Sequence, residues 1–335
     1  MKFIITQLLV LYLTTISYAV DEYADQCSQQ TCLSLNIDEI DISKYINGTD
    51  EDRNEIALLF DKSFHNYGIV RLINHQVSST NELFDKAKEF FSLNLKTKMN
   101  YFVDEFIGYK PSGSTSVANY NGEKKTTLSD SVECFLSLSG QYDNLPIEFQ
   151  SIVPKYMNET KSLINSIHQI VDMALELDED NSITKNYTNH DKPRFTLRIA
   201  KYLPNEQKIN FGAHKDYLGF SLIENDHVSG LEIEVNNRWY QVIPKPNSLL
   251  LIGGEFIERW TNNYWISALH RVSSVTEPRY SAILFTAPDL SKIIDVLPCK
   301  KCLENHSSKK YEPVTGYDHL QSRDKAQAFN SNDDE

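Results

Sequence analysis

The sequence predicts a mainly β protein with flanking helices: an antiparallel barrel or jelly roll behind an α/β N-terminal part. The back half of the chain carries the prediction. From Phe195 onward, "FTLRIAKYL", "GFSLIE", "GLEIEV", "RWYQVI", "SLLLIGG", "HRVSSV" and "RYSAILFTAP" are short alternating or apolar runs separated by turns. Upstream, helical periodicity alternates with single β-branched runs. With 335 residues, 41% of them hydrophobic, and no internal repeat, the chain reads as one domain whose helices are built around a β core.

Residues 1–20, "MKFIITQLLVLYLTTISYAV", read as a secretory signal peptide. Lys2 supplies the positive start, Phe3–Ile16 the apolar stretch, and small residues end at Ala19, near the expected cleavage point. Gln7, Thr14, Thr15 and Ser17 weaken the rival reading as an uncleaved span. Residues 21–34 are a polar, Cys-bearing tether. Residues 35–139 form an N-terminal region. It starts with a short strand in "NIDEIDIS", followed by a helix in "DEDRNEIALLFDKSFHNYG", which has acidic first-turn residues and a Gly stop. "IVRLIN" is the next strand and "SSTNELFDKAKEFFSL" the next helix, with "GYKPSGSTSVANYNGEKK" a loop. Residues 140–323 hold a helix over "PKYMNETKSLINSIHQIVDMALEL" and then the β runs. Residues 324–335 are a polar tail.

A net charge of −13 leaves no Lys/Arg surplus for a phosphate backbone, so nucleic acid is not an expected partner. A small molecule is, with the protein a monomer and no membrane span after cleavage. Asn47, Asn158, Asn186 and Asn305 head Asn-x-Ser/Thr acceptors, which fits a secreted or lumenal glycoprotein. Cys27, Cys32, Cys134, Cys299 and Cys302 allow up to two disulfides and a leftover thiol; "CKKC" reads as a bridge or two thiols, with no second pair to complete a zinc site.

Candidate chemistry begins at "NFGAHKDYLGFSLI". His214 and Asp216 alone could be a metal pair or polar groups on a solvated strand face. His270 then opens another β segment, Arg279 and Ser281 stand two apart on a strand, and Tyr202 precedes the His-x-Asp turn. Two imidazoles and a carboxylate on one face of an octahedral metal leave three positions open, as non-haem Fe(II) needs for a cosubstrate and O2. An arginine fork beside a hydroxyl suits a planar carboxylate such as the distal one of 2-oxoglutarate.

From about Leu35 to Arg323 the chain resembles the isopenicillin N synthase-like Fe(II)/2-oxoglutarate-dependent dioxygenases. The resemblance is carried by "YGIVRLINH", "AKEFFSL", "GYKPSG", "SVECF", "RIAKYLP" and "GAHKDY…VSGLEIEVNNRWYQVIP…ERWTNNYWISALHRVSS…PRYSAILFTAPD". It implies a double-stranded β-helix core, with His214, Asp216 and His270 as iron ligands and Arg279, Ser281 and Tyr202 as 2-oxoglutarate contacts. Ala200 stands where the family usually has Asn, which removes a polar contact, and Leu218 where it often has Gly, a change expected to narrow the pocket.

The implied activity is oxidation, by default hydroxylation, of a small molecule with release of succinate and CO2. The alternatives are a 2-oxoglutarate-independent oxidase of the isopenicillin N synthase or aminocyclopropane-carboxylate oxidase type, and a secreted non-catalytic binder. Specificity is expected in the loop Tyr109–Tyr120, the pocket strands and the C-terminal helix. Phe211 and Phe285 flank the expected pocket. His75 reads as structural, His227 as solvated, and His65, His168, His190, His306 and His319 as surface groups.

Overall fold

The computed structural model of this chain describes residues 33–104, 107–114, 130–188, 194–205, 209–304, 306 and 308–327. The expected signal peptide, Cys27, Cys32, His190, Asn305 and residues 115–129 lie outside them, as does the side chain of Asn186.

The N-terminal part opens with β1 (Glu39–Asp41), α1 (Ile42–Asn47) and α2 (Asp50–Asn66). A capping box starts α2: the Thr49 hydroxyl accepts from the Asp52 N–H, and the Asp52 carboxylate accepts from the Thr49 N–H. Gly68 ends it, with a φ of +67° and an N–H that reaches back to the Ser63 and Phe64 carbonyls. Next come β2 (Ile69–Ile73), α3 (Thr80–Ser92), α4 (Leu95–Met99), β3 (Gly108–Lys110), β4 (Val132–Leu138), α5 (Ile152–Ala174) and α6 (Ile183–Thr188).

The β-rich part runs through β5 (Arg194–Tyr202), β6 (Ile209–His214), β7 (Phe220–Asn225), β8 (Leu231–Val235), β9 (Arg238–Gln241) and β10 (Ser248–Gly253). After α7 (Glu255–Trp260) it continues with β11 (His270–Ser273) and β12 (Arg279–Ala287). The chain closes with β13 (Ile293–Ile294), α8 (Lys300–Glu304), β14 (Val314–Thr315) and α9 (Gly316–Gln327). An eight-stranded sheet in the order β1-β2-β10-β7-β12-β5-β4-β3 is joined by a four-stranded sheet, β6-β11-β8-β9. Apart from the parallel β1–β2 pair, the strand pairs are antiparallel. This is the jelly roll, with helices beside it.

Side-chain alternation divides the core in two. Leu222, Leu249, Leu251, Ala282 and Leu284 pack toward α2 and α5, while their neighbours Ile223, Leu250, Ile252 and Ile283 pack into the second cluster with Phe211, Ile233 and Val272 of the smaller sheet. Continuous apolar runs such as "SLLLIG" are therefore strands buried on both faces.

Several elements were not expected, among them α1, α4, α6, α7 and β4, and β3 falls at the start of the stretch read as a loop. β4 pairs with β5 from Val132↔Tyr202 to Leu138↔Thr196. Its apolar pattern is interrupted by Glu133, a buried carboxylate that receives Lys98, Lys201 and the Tyr109 hydroxyl. Tyr109 is therefore a core residue rather than part of a specificity loop.

His168 and His319 are also buried, not surface groups. His168 is enclosed as α5 packs against the sheet, and His319 on α9 meets Glu255 at 2.8 Å. His65, His227 and His306 are exposed, and His75 is buried with its Nδ1 accepting from the Val77 N–H. Cys299 and Cys302 are bridged, and Cys134 is a buried free thiol.

Candidate metal centre and its pocket

β6 ends at His214, Asp216 follows in the turn to β7, and His270 opens β11. His214 and His270 are register partners across the β6–β11 pair, with ring centroids 4.2 Å apart. Asp216 Oδ1 lies 3.7 Å from His214 Nε2 and 3.9 Å from His270 Nε2. These distances are within about 1 Å of the ~3 Å between neighbouring corners of an octahedron with bonds of about 2.1 Å. Among the described residues, this is the group of three or more His, Cys, Asp and Glu side chains placed to share an ion.

Backbone contacts set the imidazoles for ligation. His214 Nδ1 is 2.9 Å from the Gly212 carbonyl and His270 Nδ1 is 3.0 Å from the Ala268 carbonyl. A carbonyl can only accept, so the proton sits on each Nδ1 and each Nε2 offers its lone pair toward Asp216. Burial, and then the neighbouring His270, push His214 down to about 3, which keeps its ring neutral.

α7 buttresses both ligand segments. The Glu258 carboxylate accepts from Lys215, between the first two ligands, at 2.6 Å, and from the Ser267 N–H, three residues before the third, at 3.0 Å. Burial would raise Glu258, but Lys215, the Tyr311 hydroxyl and the Ser267 N–H together outweigh it and hold the carboxyl below its ordinary range. The Glu255 N–H donates to the Asp216 carbonyl at 2.8 Å, and the Glu255 side chain is held by His319 and Arg323 of α9.

The larger sheet supplies the facing wall. On β12, Arg279 is opposite Tyr202 of β5, Ser281 opposite Ala200 and Ile283 opposite Arg198. Of these, Arg279, Ser281, Ile283, Tyr202 and Arg198 share one face with Phe285 and line, with His214, Asp216, His270 and Phe211, a narrow cavity of about 40 Å³. Phe211 and Phe285 are both wall residues. Leu218 is not; it packs against the helix-side core and does not narrow the cavity.

Arg279 is fully sequestered, and burial lowers it from its ordinary value without threatening its charge. Its guanidinium lies 5.0 Å from the Tyr202 ring centroid, and Nη2 donates to Asn225 Oδ1. Nearby Asp226 spends its oxygens on the Tyr280 and Val228 N–H groups. Arg279 Nε and Nη1, Ser281 Oγ and Asp216 Oδ2 are sealed from solvent with no hydrogen-bond partner. Each such group costs about 1–3 kcal/mol, and more when charged, unless a ligand satisfies it. Ala200 contributes to this: no polar side chain from β5 answers Ser281. The donor set therefore fits a divalent metal beside a carboxylate-bearing ligand.

The His214, Asp216 and His270 triad, the Arg279 and Ser281 pair and Tyr202, all singled out from the sequence, line this one cavity. Asn225, Glu258 and Arg198 were missed. Arg198 had a legible signal: it stands four before Tyr202 on a strand and so shares its face.

Two family models match the chain, "2OG-Fe(II) oxygenase superfamily" over residues 186–288 and "non-haem dioxygenase in morphine synthesis N-terminal" over 37–155. A 2-oxoglutarate-dependent dioxygenase of Talaromyces stipitatus is 26% identical over 295 residues, covering 76% of this chain and 87% of its own. A full-length Neurospora crassa protein, solved in complex with alpha-KG and thymine, superposes with a TM-score of 0.73 at 22% identity, covering 86% of this chain and 96% of that one. JOX2 in complex with 2OG, Fe and JA gives 0.71 at 19%, covering 87% and 86%. At these identities the two structures show the shared fold.

Proposed function

This chain belongs to the 2-oxoglutarate/Fe(II) oxygenase superfamily, and on that premise we propose that His214, Asp216 and His270 hold its iron. It is a 2-oxoglutarate-dependent dioxygenase, an oxidoreductase with Fe(II) as cofactor and 2-oxoglutarate and O2 as cosubstrates. Iron, 2-oxoglutarate and O2 together supply the power to remove hydrogen from a substrate, with succinate and CO2 as co-products.

The residues of the chain bind and orient. Arg279 and Ser281 receive the distal carboxylate of 2-oxoglutarate, Asn225 and the Tyr202 ring hold the Arg279 fork in place, and the apolar wall of Ile223, Leu231, Val272 and Ile283 excludes water. The observation that carries the assignment is the set of sealed, unpartnered polar atoms at Arg279, Ser281 and Asp216 on one cavity. A purely structural pocket would satisfy them internally.

The primary substrate is a small molecule, and hydroxylation is the outcome. The Neurospora crassa protein with thymine and JOX2 with JA support a substrate of that size. Succinate formation that requires Fe(II), 2-oxoglutarate and O2 together tests the reading.

The protein enters the secretory pathway, to be secreted or kept in the lumen. The N-terminal stretch, the exposed Asn47 and Asn158 acceptors and the Cys299–Cys302 bridge support this. Among the described residues, no helix is long and apolar enough to cross a membrane.

A further inference from the structure

We propose that Arg198 is the anchor for a carboxylate on the primary substrate, so that this oxygenase acts on small organic acids. The proposal deepens the function above and depends on it for the place of iron and 2-oxoglutarate.

Arg198 lies on the cavity wall, with its guanidinium 4.5 Å above the Phe211 ring. Phe211 in turn packs edge-on against His214, ring centroids 4.9 Å apart. Arg198 therefore stands at the metal end of the cavity. Arg279 stands at the other end, opposite Tyr202 and four residues along the same strand pair. Four residues of strand separate the two positions by about 13 Å.

Arg198 Nε and Nη2 are sealed from solvent and have no hydrogen-bond partner. The nearby carboxylate of Asp130 accepts from the Gly212 N–H at 3.1 Å and leaves those two donors unmet. The charged groups on the lining are Arg198, Arg279 and Asp216. Asp130 lies close enough to favour the Arg198 charge, yet Arg198 Nε and Nη2 still lack an acceptor. A planar carboxylate would satisfy both donors of the fork at once. Phe211, beneath the guanidinium, gives the acid an apolar or aromatic body to rest on.

The test uses a matched pair of probes, phenylacetate and phenylacetamide, which differ in charge and little in shape. Each is titrated anaerobically into the Fe(II)–2-oxoglutarate protein at saturating 2-oxoglutarate. Binding is followed by perturbation of the metal-to-ligand absorption band and by thermal shift. Wild type should prefer the acid by tenfold or more, Arg198→Gln should lose that preference, and Arg198→Lys should keep part of it. The 2-oxoglutarate midpoint should move less than about twofold in either variant. Equal affinity for acid and amide, no binding of the acid, or a preference that survives Arg198→Gln would overturn the proposal. If wild type gives no 2-oxoglutarate band, the functional reading has failed instead, and thermal shift still reports whether Arg198 selects the acid.

Discussion

His214 and His270 face each other across one register of the β6–β11 pair, and each fixes its ring on the carbonyl two residues before it. Two strands thus present two lone pairs to one point, and Asp216 completes the face from the adjoining turn. The metal face is set by backbone geometry before any ion arrives.

Glu258 should matter to that geometry without touching the metal. It ties Lys215 to the Ser267 backbone, so Glu258→Gln loosens both ligand segments at once. Iron affinity should fall about tenfold, the low end for residues that support metal ligands. Competitive chelator titration reads this directly, and unchanged affinity would reduce Glu258 to a structural tie.

Arg279 and Ser281 should rank far apart. Arg279→Ala removes a charge-assisted fork and should cost roughly 2–5 kcal/mol of 2-oxoglutarate binding, a thirtyfold or greater rise in its requirement. Ser281→Ala removes one neutral hydrogen bond and should cost about 0.5–1.5 kcal/mol. Iron binding should be nearly unaffected in both. Equal losses in the two variants would contradict the assigned roles.

Glu224 should shape the pH dependence of stability. Burial pushes its carboxyl from the ordinary 4.5 up to about 7, against the hydrogen bonds from Thr80 and Tyr156. Between those values the folded chain keeps a proton that the unfolded chain has released, so stability falls as pH rises through the window. Glu224→Gln should match wild type near pH 4 and exceed it by roughly 3 kcal/mol above pH 7. Buried His168, pushed down to about 3, acts in the opposite sense between there and its ordinary 6.5. The difference between variant and wild type in urea titrations is therefore the quantity to read, and a difference that does not change with pH would refute the assignment.

Processing is checked by intact mass. Protein from its own cells should lack about its first 20 residues and carry glycan on at least one of Asn47 and Asn158. An unprocessed Met1 without sugar would remove the secretory reading.

His214 with Asp216 and Arg279 with Ser281 were legible as pairs two residues apart in a strand or turn, while His270 and Tyr202, more distant in sequence, were joined to them by their order along the chain and by the family resemblance. Asn225 and Glu258 were not. Asn225 reaches Arg279 only through the β7–β12 register, and Glu258 acts from a short helix with no periodicity to reveal it. Arg198 was passed over because a basic residue in "FTLRIAKYL" reads as solvent-facing until the strand's inner face is known. β4 was hidden by Glu133, and His168 by a helix whose burial depends on packing that no local pattern records.

The most direct measurement is an anaerobic Fe(II) titration of wild type and Asp216→Ala, followed by addition of 2-oxoglutarate and observation of the metal-to-ligand absorption band. Wild type should take up one equivalent of iron and develop the band. Asp216→Ala should remain folded, bind iron far more weakly and show no band at the same concentrations. Full iron uptake with an undiminished band in Asp216→Ala, or O2 consumption by wild type with no 2-oxoglutarate-dependent band, would contradict the account.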